Sequence, residues 1–276
     1  MGNSYTGAMA EEKPLNYAVL LSDPAALLSP KIAEAMARFQ KVPIADMGAP
    51  ARRSWGIIAQ GLPKAEGQRL LDHMGALGLG GLVIPENLIE DLPPAQRLDS
   101  LEPGGERLSL APHNAAAASV PWSQVRLAAA AAFKKTTVKT VKVTEGPSSG
   151  EKALNVGLMM SGIPIKVGKN KEVLKTLEET DLVLYLDLCI GSPAARYRVD
   201  AQNFDYSFLK AKMAYNVFSN FKTMIIDLSE RGRFPINRGA AVIFEGKPIN
   251  SMAYESLADL ERETRWLLTL RALKPA

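Results

Sequence analysis

The stretch from Tyr17 to Glu86 constrains the fold most strongly, because the period of its apolar residues changes from one segment to the next. Apolar runs predict strands at 17–22, 42–47, 54–62 and 79–86, and helical spacing predicts helices at 30–40 and 63–77. Strand, helix, strand, strand, helix, strand is the order of the ferredoxin-like βαββαβ sandwich. We therefore predict a ferredoxin-like module over 17–86.

Local signals support the two helices of this module. Pro30 and Pro63 stand where a first helical residue would lie, a position at which the missing N–H is tolerated. Ile32, Met36 and Phe39 recur at the spacing of one helical face. These positions predict helices that pack one apolar face against a sheet.

The rest of the chain divides less clearly. We expect a flexible tail at 1–16, and a linker with little regular structure at 87–121, which is rich in proline, glycine and alanine. A second, basic α+β domain would follow at 122–276. The complete chain is thus predicted to be an α+β protein of two domains.

Within the second domain, residues 122–133 fit either a strand or a helix. Strands are predicted at 135–143, 182–190, 196–201 and 239–246, and helices at 207–230 and 256–273. Ser256, with Asp259 three residues later, indicates a capped start for the last helix. Several strands followed by a helix favour an antiparallel sheet or a small PH-like open barrel, capped by the C-terminal helix.

Composition excludes some classes of protein. No apolar run is long enough for a membrane-spanning helix, and the first residues lack the apolar core of a secretory signal. The single cysteine, Cys189, excludes an internal disulfide framework. His73 and His113 have no His, Cys or carboxylate at ligand spacing, so neither a metal nor a cofactor is expected. A cytoplasmic location is the expectation.

No catalytic constellation is evident in the sequence. Asp181, Asp187, Asp200 and Asp205 are dispersed, and acid–base catalysis requires carboxylates that meet in space. Cys189 lies in an apolar strand, where a thiol usually packs as a small hydrophobe. We predict no catalytic residue, although an enzyme whose site cannot be recognised from sequence remains an alternative.

Charge is distributed unevenly. Residues 1–120 hold ten Lys and Arg against thirteen Asp and Glu, whereas 121–276 hold 23 against 16. This excess fits either a solvated surface or a surface that binds an anionic partner. The residues expected to contact it are Lys134, Lys135, Lys139, Lys142, Lys166, Lys169, Lys171, Arg196 and Arg198.

A run of aromatic residues at 204–221 interleaves with Lys210, Lys212 and Lys222. Mixed basic and aromatic residues are typical of some nucleic-acid interfaces, whereas helical spacing favours core packing. We expect most of these rings to lie in the core, with nucleic-acid binding as the alternative.

These observations lead to one functional hypothesis with two alternatives. The leading hypothesis is a non-enzymatic, cytoplasmic regulatory or scaffolding protein that binds a protein or an anionic partner. The first alternative is a nucleic-acid-binding protein that uses its basic second domain. The second alternative is the enzyme mentioned above.

Overall fold

The structure is a computed structural model that describes residues 15–27, 29–145, 171–191, 194–248, 251 and 253–273. For 135–145, 171–181 and 253 it describes the backbone alone. The chain forms two compact units. The first unit comprises the described residues up to Phe133 and from Leu184 onward, and the second is Lys134–Val183.

The first unit begins with a three-stranded sheet and three helices. The strands are β1 (Tyr17–Leu21), β2 (Ile57–Leu62) and β3 (Gly81–Pro85), and the helices are α1 (Lys31–Gln40), α2 (Ile44–Arg52) and α3 (Lys64–Ala76). The order in the sheet is β2-β1-β3, and β1 is antiparallel to both neighbours. The central strand is thus the most buried of the three, as its apolar sequence predicts.

The predicted strand at 42–47 is wrong, because Ile44–Arg52 forms helix α2. Pro43 precedes this helix in an extended conformation and therefore begins it rather than ending a strand. Met47 and Ala51 lie four residues apart and are both buried, so the apolar residues follow a helical period. Val42 and Ile44 favour a strand by their intrinsic propensity, but tertiary packing overrides this preference.

A second sheet contains seven strands. They are β4 (Ala95–Pro103), β5 (Arg107–Pro112), β6 (Ala118–Pro121), β7 (Val125–Glu145), β8 (Lys171–Ile190), β9 (Ala195–Asp200) and β10 (Ala253–Tyr254), in the order β10-β7-β8-β9-β4-β5-β6. Its edge strands β10 and β6 are not neighbours, so the described residues form an open sheet without barrel closure. The molecule is therefore a mixed α+β protein with two sheets in its described part.

The prediction of an irregular linker at 87–121 is wrong, since this range holds strands β4, β5 and β6. Pro103, Pro112 and Pro121 are each the last residue of a strand, where the missing N–H interrupts little pairing. Leu108 and Leu110 are buried alternately with exposed neighbours. The prolines therefore mark the ends of strands, and the expected boundary between two domains at this range is not observed.

The described part of the chain also holds three further α-helices: α4 (Val217–Gly232), α5 (Arg238–Phe244) and α6 (Leu257–Leu273). The predicted strand at 239–246 is wrong because Asn237 caps α5, its side-chain oxygen accepting from the N–H of Ala240 at 3.0 Å. The helix predicted at 207–230 corresponds to α4, which begins at Val217, ten residues after the predicted start. The capping box at the start of α6 is confirmed, with Ser256 N–H donating to Asp259 at 2.9 Å.

Helix α6 joins the two sheets through Trp266. This indole is fully buried, and its Nε1–H donates to the carbonyl of Leu21 at 2.7 Å. Gly56 has a φ of +84°, and a Cβ at this position would lie 2.0 Å from the indole. One apolar core consequently contains both the residues of β1 and the residues Leu127, Ala129 and Ala131 of β7.

The contact between Gly56 and Trp266 can be separated from the backbone preference for glycine. Gly61 also has a positive φ, of +72°, but a Cβ there would have nothing within 4 Å. We expect Gly61→Ala to lower the free energy of unfolding by about 1–2 kcal/mol through φ alone. Gly56→Ala should cost about 1–3 kcal/mol more, because the indole must also shift. Urea denaturation measures both variants, and equal losses would show that Trp266 does not constrain Gly56.

Candidate functional site

The two arginines predicted to bind an anionic partner lie inside the protein. Arg198 donates to both oxygens of Asp187, each at 2.7 Å, and Arg196 donates to Glu261 at 2.9 Å. Asp187 is fully buried, and it faces Arg198 because β8 and β9 pair in that register. We call these four residues the acid–arginine cluster. Its formal charges cancel, so Arg196 and Arg198 have internal partners, and their contact with an external anion stays a prediction.

The predicted lysines belong to the second unit. Lys134 is exposed. Lys135, Lys139 and Lys142 lie on β7, and Lys171 begins β8, with only their backbone described. Lys166 and Lys169 lie outside the described residues. Their role in binding an anion therefore stays a prediction.

The dispersed carboxylates have local structural roles. Asp200 accepts from the backbone N–H of Gln202 at 3.2 Å, and Asp205 accepts from that of Ser207 at 2.9 Å. Asp187 belongs to the acid–arginine cluster. Asp187, Asp200 and Asp205 are thus each engaged by an amide or a guanidinium, whereas only the backbone of Asp181 is described.

Cys189 is buried beside the acid–arginine cluster. Burial, together with the negative charge of Asp187, raises the pKa of its thiol to about 12. Because the thiolate is the nucleophilic form of cysteine, this side chain is unreactive near neutral pH. Among the described residues, no group of three or more His, Cys, Asp and Glu is arranged to hold a metal ion.

Asn237, Tyr254 and Glu263 form a buried polar centre that the sequence patterns did not predict. Asn237 accepts from the N–H of Ala130 at 2.9 Å and donates to the Tyr254 hydroxyl at 2.8 Å. The same hydroxyl donates to Glu263, which also accepts from the backbone N–H of Arg238 at 3.2 Å. These bonds fasten strand β7, strand β10, helix α5 and helix α6 to one another. Only the capping pattern at Asn237 could have been recognised in the sequence.

An aromatic layer covers this polar centre. The rings of Trp55 and Tyr254 stack with centroids 4.8 Å apart, and the guanidinium of Arg238 lies 4.8 Å from the Tyr254 centroid. Phe133 contacts Tyr254 on one side and Tyr185 on the other, at centroid distances of 6.2 and 5.6 Å. Tyr254, Phe133 and Tyr185 come from adjacent strands, so they form a row across one face of the sheet.

The aromatic run at 204–221 separates into core and surface residues. Phe204, Tyr206 and Phe221 are buried, which confirms the core prediction for them. Met213, Tyr215 and Phe218, in contrast, have 58%, 107% and 37% of their surface exposed. Helical spacing alone could not show this, because helix α4 begins only at Val217. We call residues 213–218 the apolar loop.

A buried asparagine fixes the backbone of the apolar loop. The Asn220 side chain accepts from the N–H of Ala214 at 2.6 Å and donates to the C=O of Ala214 at 3.0 Å. Asn216 caps α4 by accepting from the N–H of Ser219 at 2.7 Å. The loop therefore exposes three large apolar side chains, and the hydrogen bonds of Asn216 and Asn220 fix its backbone.

Comparison with known proteins adds no family. No protein-family model, curated protein or solved structure matches this chain significantly. No helix in the described part of the chain is long and apolar enough to cross a membrane.

The buried carboxyl of Glu263 gives a test of the polar centre. Burial raises the pKa of Glu263 above its ordinary value of 4.5, and the hydrogen bond from Tyr254 opposes the rise. The folded protein thus holds this proton more tightly than the unfolded chain does. The contribution of the protonated Glu263 carboxyl to the stability of the fold is therefore complete below the ordinary pKa. It is lost as pH rises through the raised pKa.

We expect Glu263→Gln to become more stable relative to the wild type as pH rises from about 4 to about 8, because the amide does not ionise. Urea denaturation at a series of pH values measures the difference. Glu230→Gln is the control, since Glu230 is exposed on α4. Parallel stability curves for the Glu263 variant and the wild type would contradict the raised pKa.

Proposed function

We propose that this protein is a non-enzymatic cytoplasmic binding protein with a regulatory or scaffolding role, and that it contacts a partner protein through the apolar loop. One observation carries this proposal. Met213, Tyr215 and Phe218 are exposed together on a backbone that Asn220 holds in place. Clustered exposed apolar side chains of this kind mark interaction sites.

The composition and rigidity of the loop favour a protein interface. Tyrosine, phenylalanine and methionine are enriched in such interfaces. A loop that is already held in position loses less conformational entropy on binding than a mobile one. The two hydrogen bonds of Asn220 to Ala214 therefore favour tighter binding without contacting the partner themselves.

Charges around the loop favour an acidic partner. Residues 205–222 hold three lysines, Lys210, Lys212 and Lys222, and one acid, Asp205. Lys212 is paired with Asp227 at 2.6 Å, which leaves Lys222 to act on a partner. A second copy of this chain on the same face would bring like charges together, so a different protein with an acidic rim fits better.

The second unit supports a further candidate function, polyanion binding. Its sequence, from Lys134 to Val183, holds nine lysines and six acidic residues. Because Arg196 and Arg198 are paired in the first unit, this separate unit is where the predicted basic residues remain. Binding of nucleic acid or another polyanion through these lysines is thus the alternative to the protein interface.

We also infer that residues 17–86 are derived from a ferredoxin-like arrangement. In the four-stranded pattern each central strand is antiparallel to its neighbours, and a helix joins the third and fourth strands. Strands β1, β2 and β3 have this pairing, with α3 between β2 and β3. Helix α2 stands where the second strand would be. A PH-like arrangement has no such support.

Replacing Phe218 tests the proposed interface. A photo-crosslinker at Tyr215 would identify candidate partners in extract of the source cells, and the purified partner would then be titrated calorimetrically. We expect Phe218→Ser to weaken its Kd at least about tenfold, as truncation of an interface anchor does. Asn220→Asp should also weaken binding, because its carboxylate cannot donate to the C=O of Ala214.

Phe244→Ser is the matched control, since Phe244 is an equally large side chain with 43% of its surface exposed at another site. It should leave the Kd within about twofold of the wild type. Capture of a protein from extract does not by itself support the proposed interface. Equal losses for Phe218→Ser and Phe244→Ser would refute the interface at the apolar loop.

A second titration tests the lysines of the other unit, with heparin and a short single-stranded RNA at two salt concentrations. Replacing Lys134, Lys135, Lys139 and Lys142 by Ala should reduce the slope of log affinity against log salt by about 2–3. The control replaces Lys31, Lys41, Lys64 and Lys247, which changes the net charge equally. An identical salt dependence for both quadruple variants would exclude the alternative.

A further inference from the structure

A cavity of about 350 Å³ lies between strands β4 and β5 and the segment Ser207–Lys212. Small side chains line the part formed by the strands. Ser100 pairs in register with Ala111, and Glu102 pairs with Ser109, so these residues come from neighbouring positions on the two strands. Since serine and alanine occupy little space, they leave a depression that larger residues would fill. Phe208, which is half-buried, forms part of the opposite wall.

Two opposite charges line this cavity without neutralising each other. Glu102 and Lys210 are both exposed and both border the cavity. Neither side chain forms an ion pair with another residue in the part of the chain that the structure describes. Other charged side chains in this region are engaged, as Asp205 is by Ser207 and Lys212 is by Asp227. The cavity therefore offers one negative and one positive group to a ligand.

Lys210 adopts a backbone conformation that is sterically unfavourable for a residue with a Cβ. Its φ of 49° and ψ of −120° interrupt the segment Ser207–Lys212. Only glycine adopts such a conformation without steric cost, because a Cβ approaches the neighbouring carbonyl. Strained residues of this type are concentrated at ligand sites. Lysine at this position makes the protein less stable than glycine would, but it places an ammonium group at the cavity.

We propose that this cavity binds a small zwitterion of amino-acid or dipeptide size. The ammonium of the ligand would lie near Glu102 and its carboxylate near Lys210, with its apolar part against Phe208. The hydroxyls of Ser100 and Ser109 would supply hydrogen bonds that fix its orientation. Glu102 repels phosphates and dicarboxylates, and Lys210 repels polyamines, so a ligand with both charges fits best. This proposal is independent of the apolar loop.

Binding is tested by calorimetry and by amide chemical shifts, with L-phenylalanine, L-leucine and glycylglycine as probes. We expect at least one of them to bind saturably and to shift the amide signals of residues 100–111 and 207–210. The matched compounds 2-phenylethylamine and 3-phenylpropanoate each lack one of the two charges of phenylalanine. They should bind at least tenfold more weakly than phenylalanine. Absence of saturable binding by all three zwitterions would overturn the proposal.

Two substitutions of Lys210 separate its charge from its strain. Lys210→Gly should abolish binding and raise the Tm by about 2–4 °C, because glycine relieves the backbone strain. Lys210→Ala should also abolish binding but leave the Tm nearly unchanged, since alanine retains the Cβ. Glu102→Gln should weaken binding at least fivefold. A Lys210→Gly protein that binds the zwitterion as tightly as the wild type would refute the site, whereas Phe244→Ser should leave this binding unchanged.

Discussion

The contact of Trp266 with Leu21 and Gly56 is the constraint on which the rest of the first unit depends. It places an indole from the last helix against the first strand, and its N–H satisfies a buried carbonyl at 2.7 Å. A buried carbonyl without a partner would cost about 1–3 kcal/mol, so the bond fixes position as well as filling space. Residues separated by almost the full length of the chain thereby share one core.

Polar groups inside this unit connect its strands and helices to one another. Asn237, Tyr254 and Glu263 join two strands and two helices, and the acid–arginine cluster joins β8 and β9 to α6. A buried charge that lost its partner would be costly, so each set is held together by its own hydrogen bonds and ion pairs. The two proposed binding sites, the apolar loop and the cavity at Lys210, lie at the surface and hold groups that the fold itself does not use.

Sequence patterns predicted the regular elements where one period dominated. The strands around Tyr17, Ile57 and Leu186 are present, and so is the capped helix that begins after Ser256. Errors arose where short apolar segments fitted two periods, as at 42–47 and 239–246, or where prolines ended strands at 103, 112 and 121. In these segments the deciding factor was the surface against which each one packs.

The candidate sites, like the regular elements, were predicted in part by the sequence and decided in part by the structure. The sequence by itself determined that residues 134–183 carry a lysine excess and that aromatic residues are concentrated at 204–221. Only the tertiary structure decided that Arg196 and Arg198 face Asp187 and Glu261, that Asn220 holds an exposed loop, and that Glu102 and Lys210 border one cavity. The physical reason is that charge and hydrophobicity belong to individual residues, whereas pairing, burial and exposure depend on strand register and on contacts between distant segments.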